Sequence, residues 1–201
     1  AVPYRLALQC RRYATLQMMH LAPASADAQQ VSAPHVAALL LELDAVVSAE
    51  YETPASEVAE CLALLASKVE QAVTGAGGRL VHAMSDRQVA LFRSQHGQEL
   101  SIEGAVQAGL AIRSAVEALS QDPTIPQGFQ PKVRVAIDAG EIISAQGEGK
   151  ELVFGEVLVG ARAMARVTPQ GGISISQRAF RRVRGSIETQ PLEVSGSVAG
   201  H

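Results

Sequence analysis

Two acidic side chains and a few cations stand where chemistry could occur. In "RLVHAMSDRQVALF", residues 79–92, the apolar runs Leu80–Met84 and Val89–Phe92 flank a polar tip, Ser85-Asp86-Arg87-Gln88. That pattern predicts a β-hairpin with a carboxylate and a cation at its turn. Asp86 is then either a metal ligand or only a turn residue. Upstream, Glu42 interrupts the apolar run of "HVAALLLELDAVV", and Asp44 follows two residues later. On a strand, Glu42 shares a face with Ala38 and Leu40, and a central strand can bring its end beside a neighbouring hairpin. Glu42 and Asp86 can therefore meet. Two alternatives are that Asp44 is the partner in a shifted register, or that Glu42 and Asp44 are only polar residues at a strand end. Arg87 could pair with Asp86, contact a phosphate, or form a weak surface ion pair.

The elements that must position these residues can be traced along the chain. Residues 1–33 read as an N-terminal extension whose second part, rich in Ala, Ser and Pro, is a linker. Residues 34–198 form the main domain. The continuously apolar segment at 35–43 predicts a buried central strand. A helix begins at Thr53-Pro54, with Thr as N-cap and Pro in the first turn. Val58, Cys61, Leu62, Leu65, Val69, Ala72 and Val73 recur along it at helical spacing, and Gly75, Gly77 and Gly78 stop it.

After the hairpin, a second helix runs from about 101 to 120, with Ile102, Val106, Leu110, Val116 and Leu119 on its buried side. "QDPTIPQGFQP" reads as a loop. "KVRVAID" alternates cleanly and is a strand. A second hairpin turns at 147–149, a short helix spans 157–167, and "ISIS" is a strand. "QRAFRRV" is a short helical turn, and "SIETQPLEVSGSV" reads as a closing hairpin. The order β-α-β-β-α-β predicts an α+β fold, a ferredoxin-like core with helices on one face, extended by further strands and helices.

Composition narrows the function classes. Among 201 residues there is no Trp, aromatics are 3% and hydrophobics 47%, so Leu, Val, Ile and Ala must build the core. The net charge of −3 argues against nucleic acid as a partner. The two cysteines, Cys10 and Cys61, match no metal spacing or disulfide framework, and Cys61 reads as a buried free thiol. The longest apolar run, Val36–Leu41, is far short of the roughly 20 residues of a membrane span. No signal peptide is evident in this stretch, and we expect a reduced, cytoplasmic setting. The chain lacks an initiating Met and has abrupt ends, as expected for a piece of a longer protein with other domains. His35, His96 and His201 show no ligand spacing. Arg178, Arg181, Arg182 and Arg184 form either a solvated basic face or a site for phosphate or an acidic partner.

Six segments, in order, resemble the class III nucleotidyl cyclase catalytic domain. They are "LLLELDAVV" (39–47), "PASEV" (54–58), "GGRLVHAMSDRQVALF" (77–92), "VRVAIDAGEI" (133–142), "GEVLVGARAM" (155–164) and "GGISIS" (171–176). The resemblance covers about 35–197 and implies the nucleotide cyclase fold. It also implies a homodimer, with a nucleoside triphosphate in the cleft between protomers. In the family, two carboxylates hold two divalent ions, Mg2+ or Mn2+, which activate the 3′-hydroxyl and grip the triphosphate. Those carboxylates fall on Glu42, where the family has Asp, and on Asp86.

Other positions depart from the family. The Gly-Asp-Gly turn has become Ser85-Asp86-Arg87. The base-selecting Lys corresponds to His82, and the Asp that accompanies it falls near Lys150. The resemblance thus leaves His82, Arg87 and Lys150 as candidate nucleotide-binding residues. The Asn and Arg that orient the ribose and stabilise the transition state fall on Val159 and Ala163, which can do neither. A shifted frame would offer Arg162 or Arg166. The expectation is a dimerising or regulatory signalling domain with little or no cyclase activity. The alternatives are an unorthodox active cyclase using Glu42 and Asp86, or an unrelated ferredoxin-like interaction domain.

Overall fold

The computed structural model describes residues 35–47, 53–83, 87–93, 102–147 and 150–192. The continuously apolar segment forms the first strand, β1 (His35–Val47), four residues longer than its apolar pattern predicts. It is apolar throughout because both of its faces are covered. Ala37, Leu39, Leu41 and Leu43 belong to the main core cluster. Val36, Ala38 and Leu40 belong to two smaller clusters on the opposite face.

The first helix, α1 (Ala55–Gly75), buries Cys61, Leu65, Val69 and Val73. Pro54, not Thr53, is its N-cap, and the Pro54 carbonyl accepts from the Glu57 and Val58 N–H groups. The helix ends as the glycines predict: Gly77 has φ 77°, a value that favours a residue without Cβ. Strands β2 (Arg79–Ala83) and β3 (Arg87–Arg93) follow as the antiparallel hairpin, with a register shift between Leu80 and His82.

Helix α2 (Ile102–Gln121) carries a buried stripe of Ile102, Ala105, Ala108, Ile112, Val116 and Leu119. Leu110, expected on that side, is exposed. The small residues explain the rotation. Gly109 lies so close to the sheet that a Cβ there would stand 3.2 Å from Val135 Cγ1, so Leu110 is turned away from it.

Strand β4 (Phe129–Glu141) starts earlier than expected and takes in Pro131. Pro is tolerated there because β7 flanks only Val135–Ile137, leaving β4 an edge at Pro131. The second hairpin is β5 (Ile143–Gly147) and β6 (Lys150–Phe154), a separate two-stranded sheet. Helix α3 (Glu156–Ala165), strand β7 (Ile173–Ile175) and helix α4 (Gln177–Val183) complete the elements. Ser176 caps α4 by accepting from the Ala179 N–H at 3.2 Å. Of the expected closing hairpin at 186–198, residues 193–198 lie outside the described residues; residues 184–192 show one isolated bridge, Arg184 to Ile187. Only Ile187 in that stretch finds the core, so no alternating apolar face holds it to the sheet.

The main sheet has the order β2-β3-β1-β4-β7, with β7 parallel to β4 and the other pairs antiparallel. Its first four strands have ferredoxin-like order. Residues of α1, α2 and α4 share one core with the odd-numbered side of β1, whereas α3 packs on the opposite side through Ala161 and Ala165. The helices are thus not confined to one face. No helix among the described residues is long and apolar enough to cross a membrane. The extension at 1–33 lies outside the described residues, as do Cys10, His96 and His201.

Candidate functional site

The site implied by the carboxylates lies on the α3 side of the sheet, at Glu42 in the second half of β1. Glu42 follows Ala38 and Leu40 on that face, as the strand period requires. Arg87, expected at the hairpin tip, is instead the first residue of β3 and pairs directly with Glu42 in the β1–β3 ladder. Its Nε stands 3.3 Å from Glu42 Oε1. The Glu42 side chain is 14% exposed and that of Arg87 44%. The ion pair therefore joins Arg87 to the strand carboxylate. Asp86, the other proposed ligand, lies outside the described residues. His82 occupies β2 opposite Val89, and Lys150 begins β6 opposite Gly147. Their side chains, like those of His35 and Asp44, lie outside the described residues.

A divalent ion needs several oxygen ligands free to coordinate it. Among the described residues, no group of three or more His, Cys, Asp or Glu gathers where an ion could sit. Glu42 already faces a guanidinium, which competes with a metal for the same oxygens. Of the two carboxylates that the resemblance implies, only Glu42 is among the described residues, and it faces Arg87.

Beside Leu40 the same face opens into a cavity of about 370 Å³. Ala38, Leu40, Val81 and Val89 form its sheet side. Leu152, Val153 and Phe154 come from β6, and Leu158, Val159, Ala161 and Arg162 from α3. Phe154 and Val159 are 60% and 62% exposed, high values for large apolar residues. Val159 and Arg162, three apart on α3, share the helix face that borders the cavity. Arg166, the other cation of a shifted frame, is the C-cap of α3.

A second polar constellation escaped the sequence. Asp138 on β4 is 1% exposed, and Arg178 of α4 grips it with both Nε and Nη2. The Nε bond to Oδ1 is 2.5 Å. Ser176 Oγ donates to Oδ1 at 2.5 Å, and the Ala139 N–H at 2.8 Å. Arg178 Nη2 also reaches the Glu156 carbonyl at 3.4 Å. The hydrogen bond to Asp138 raises the Arg178 pKa; burial works against this, and the Asp138 and Glu156 charges add to the rise. The group ties β4, α3 and α4 together, and one member of the basic cluster at 178–184 is thus an internal clamp. Its signal lies in "KVRVAIDAG": Val133, Val135 and Ile137 take one face, leaving Asp138 between Ala136 and Gly140 on the other, where a buried carboxylate needs a partner.

No protein-family model matches the sequence, and comparison with curated proteins gives no match. Solved structures do match. The guanylate cyclase domain of RhGC from Catenaria anguillulae, in complex with GTP, is 18% identical with a TM-score of 0.67; the match covers 80% of this chain and 87% of that one. The adenylyl cyclase CyaB from P. aeruginosa is 17% identical with a TM-score of 0.66, covering 78% and 83%. The non-canonical dimeric guanylyl cyclase domain of the RhoGC fusion protein from the aquatic fungus Blastocladiella emersonii is 17% identical with a TM-score of 0.67, covering 80% and 89%. These likenesses establish the fold: a class III nucleotidyl cyclase catalytic-domain fold over about four-fifths of the chain.

Proposed function

We propose that this chain is a cyclase-homology signalling domain with little or no cyclase activity, acting as a dimerising or regulatory module within a longer cytoplasmic protein. The observation that carries the reading is the ion pair between Arg87 and Glu42. Glu42 stands where the resemblance puts the first metal carboxylate, and Arg87 replaces a glycine of the metal-binding turn. A fixed guanidinium at that carboxylate opposes the two-metal arrangement that would activate a 3′-hydroxyl. The α3 positions corresponding to the ribose-orienting and transition-state residues, Val159 and Ala163, have no charge or donor to offer developing phosphoryl charge.

The homodimer is part of the proposal. The Blastocladiella emersonii domain, of the same fold, has been solved both as a non-canonical dimer and as a monomer. Here Leu152, Phe154 and Val159 leave apolar surface exposed around one cavity, a feature suited to an interface. A nucleoside triphosphate, as in the Catenaria anguillulae complex, would have to enter the dimer cleft through His82, Arg87 and Lys150.

The test is an assay with ATP and with GTP, each with Mg2+ and with Mn2+. The expected result is no cyclic product above the protein-free control. Robust cyclic product that Asp86→Ala abolishes would overturn the proposal and favour an active cyclase using Glu42 and Asp86. Sedimentation equilibrium of the same preparation reads the dimer directly.

A further inference from the structure

We infer that the side of the sheet covered by α1, α2 and α4 docks a second copy of this chain, the arginines at the end of α4 meeting the glutamates that open the partner's α1. This contact lies opposite the α3 side, so it goes beyond the dimer of the proposed function. Arg181, Arg182 and Arg184 are exposed at the end of α4. None of them makes a hydrogen bond or ion pair with another described residue. Arg178 differs, because Asp138 answers its charge. A helix dipole favours cations in the last turn, but three guanidiniums within four positions also repel one another. Carboxylates brought by a partner relieve that repulsion, and each can accept two parallel N–H···O bonds from one guanidinium. The face is held ready: Ser176 caps α4, and Ala179 and Val183 anchor it in the core.

The same chain carries the complement. Glu57 and Glu60 are exposed in the first half of α1 and likewise form no ion pair with another described residue. Leu64, 41% exposed, shares their helix face, and α2 adds Leu110, 43% exposed. Placement allows the contact to be made twice. Helix α1 packs on β2 and α4 on β4, with β3 and β1 between those strands, so the two charged helices stand at opposite margins of one side. Two copies facing each other about a twofold axis therefore lay each α4 on the partner's α1. Other occupants fit less well. Helix α4 has no exposed apolar residue to insert into a membrane, because Ala179 and Val183 are buried and Phe180 is half-buried. A net charge of −3 and a helix without an exposed aromatic oppose nucleic acid.

The test is sedimentation equilibrium of the full chain carrying Leu152→Asp, which puts a charge on the α3 side and leaves this side untouched. Self-association should persist, and should weaken at least about tenfold between about 0.05 and about 0.5 M salt. Arg181→Glu with Arg182→Glu, or Glu57→Arg with Glu60→Arg, should weaken it at least about tenfold, because like charges then face each other. An equimolar mixture of the two reversed chains restores opposite charges at both ends of the contact. It should associate within about threefold of the unreversed chain. All four reversed side chains are exposed, and circular dichroism checks that each variant stays folded. If Leu152→Asp unfolds, the same reversals and the same mixture are read in the parent. A folded chain that is monomeric at low salt, or association that neither reversal changes, overturns the inference. Reversals that weaken association without rescue in the mixture overturn it too, and would assign the arginines to an unrelated acidic partner. Binding to phosphatidylglycerol vesicles that the arginine reversal abolishes, without self-association, would make a membrane the occupant, with the same consequence. Failure of this contact leaves the proposed function standing. Cyclic product in the cyclase assay removes that reading and leaves this contact in place.

Discussion

Arg87 stands directly across the β1–β3 ladder from Glu42, its Nε 3.3 Å from Oε1. Cross-strand neighbours of opposite charge attract, and here the attraction occupies the carboxylate that a metal would need. Removing the guanidinium should free that carboxylate. We expect Arg87→Gly to bind Mn2+ several-fold more tightly than the parent, measured by electron paramagnetic resonance of free Mn2+. The stability cost should be about 1–2 kcal/mol: Arg87 is 44% exposed, so solvent screens the pair, while glycine weakens a strand. Equal Mn2+ affinity in parent and variant would show that the pair does not guard the site.

The pairing illustrates what the sequence can and cannot reveal. The continuous apolar run of β1 betrays a strand covered on both faces, and the helical spacing of α1 names its buried residues. The strand period alone places Glu42 on the face of Ala38 and Leu40. Its partner is not readable, because register decides which residue of β3 lies opposite, and the polar pattern assigns Arg87 to the turn. The pair of Asp138 and Arg178 is hidden for another reason: forty residues separate its members, and only the packing of α4 on the sheet joins them. The cavity follows from where β6 and α3 meet β1, which no local pattern encodes.

The clamp between Asp138 and Arg178 should be measurable as a coupling energy. Truncating Arg178 leaves a carboxylate that is buried and keeps only Ser176 and a backbone N–H as donors. Breaking a buried pair costs about 3–5 kcal/mol, but Arg178 is 44% exposed, and solvent weakens its share. We expect Arg178→Leu to cost about 2–3 kcal/mol in chemical denaturation. A double-mutant cycle with Asp138→Ala should recover part of that loss. The Arg178 pKa is raised, so its contribution is fully present below the unfolded value and is lost only as pH rises past it. The coupling should therefore hold steady from about pH 6 to about pH 9. Additive single-variant costs would contradict the clamp.

Cys61 offers a pH test in the alkaline direction. The thiol is 6% exposed and unpaired. Burial raises its pKa, and the charges of Glu60 and Glu57 raise it further. The folded chain thus keeps a proton that the unfolded chain begins to lose near about pH 8.5. That stabilisation is complete below the unfolded value and disappears as pH rises through the folded one. In a Cys10→Ser background, denaturation midpoints should fall between about pH 8 and pH 10, and adding Cys61→Ala should shrink the fall. Alkylation of Cys61 at neutral pH should be at least about tenfold slower than that of free cysteine. Labelling at the free-cysteine rate would place the thiol in water.

Two glycines in helices should respond in opposite directions to the same substitution. Gly75 ends α1, and a Cβ added there would meet nothing within 4 Å. Gly75→Ala should therefore stabilise by up to about 0.5–1 kcal/mol through helix propensity and a less flexible unfolded chain. Gly160 lies inside α3, where a Cβ would collide with Asp138 Oδ2 and stand 3.0 Å from Arg178 Nη2. Asp138 cannot retreat, because Arg178, Ser176 and the Ala139 N–H all hold it. The propensity gain is outweighed, and Gly160→Ala should cost a net of about 1–3 kcal/mol. Steric conflict with one side chain makes a sharper claim than destabilisation alone. In an Asp138→Ala background the obstacle is gone, so Gly160→Ala should cost at least about 1 kcal/mol less than in the parent, which denaturation of the four chains of the cycle measures. An unchanged cost in that background would mean that α3 is constrained by its backbone, and that the clamp does not set how closely the helix approaches the sheet.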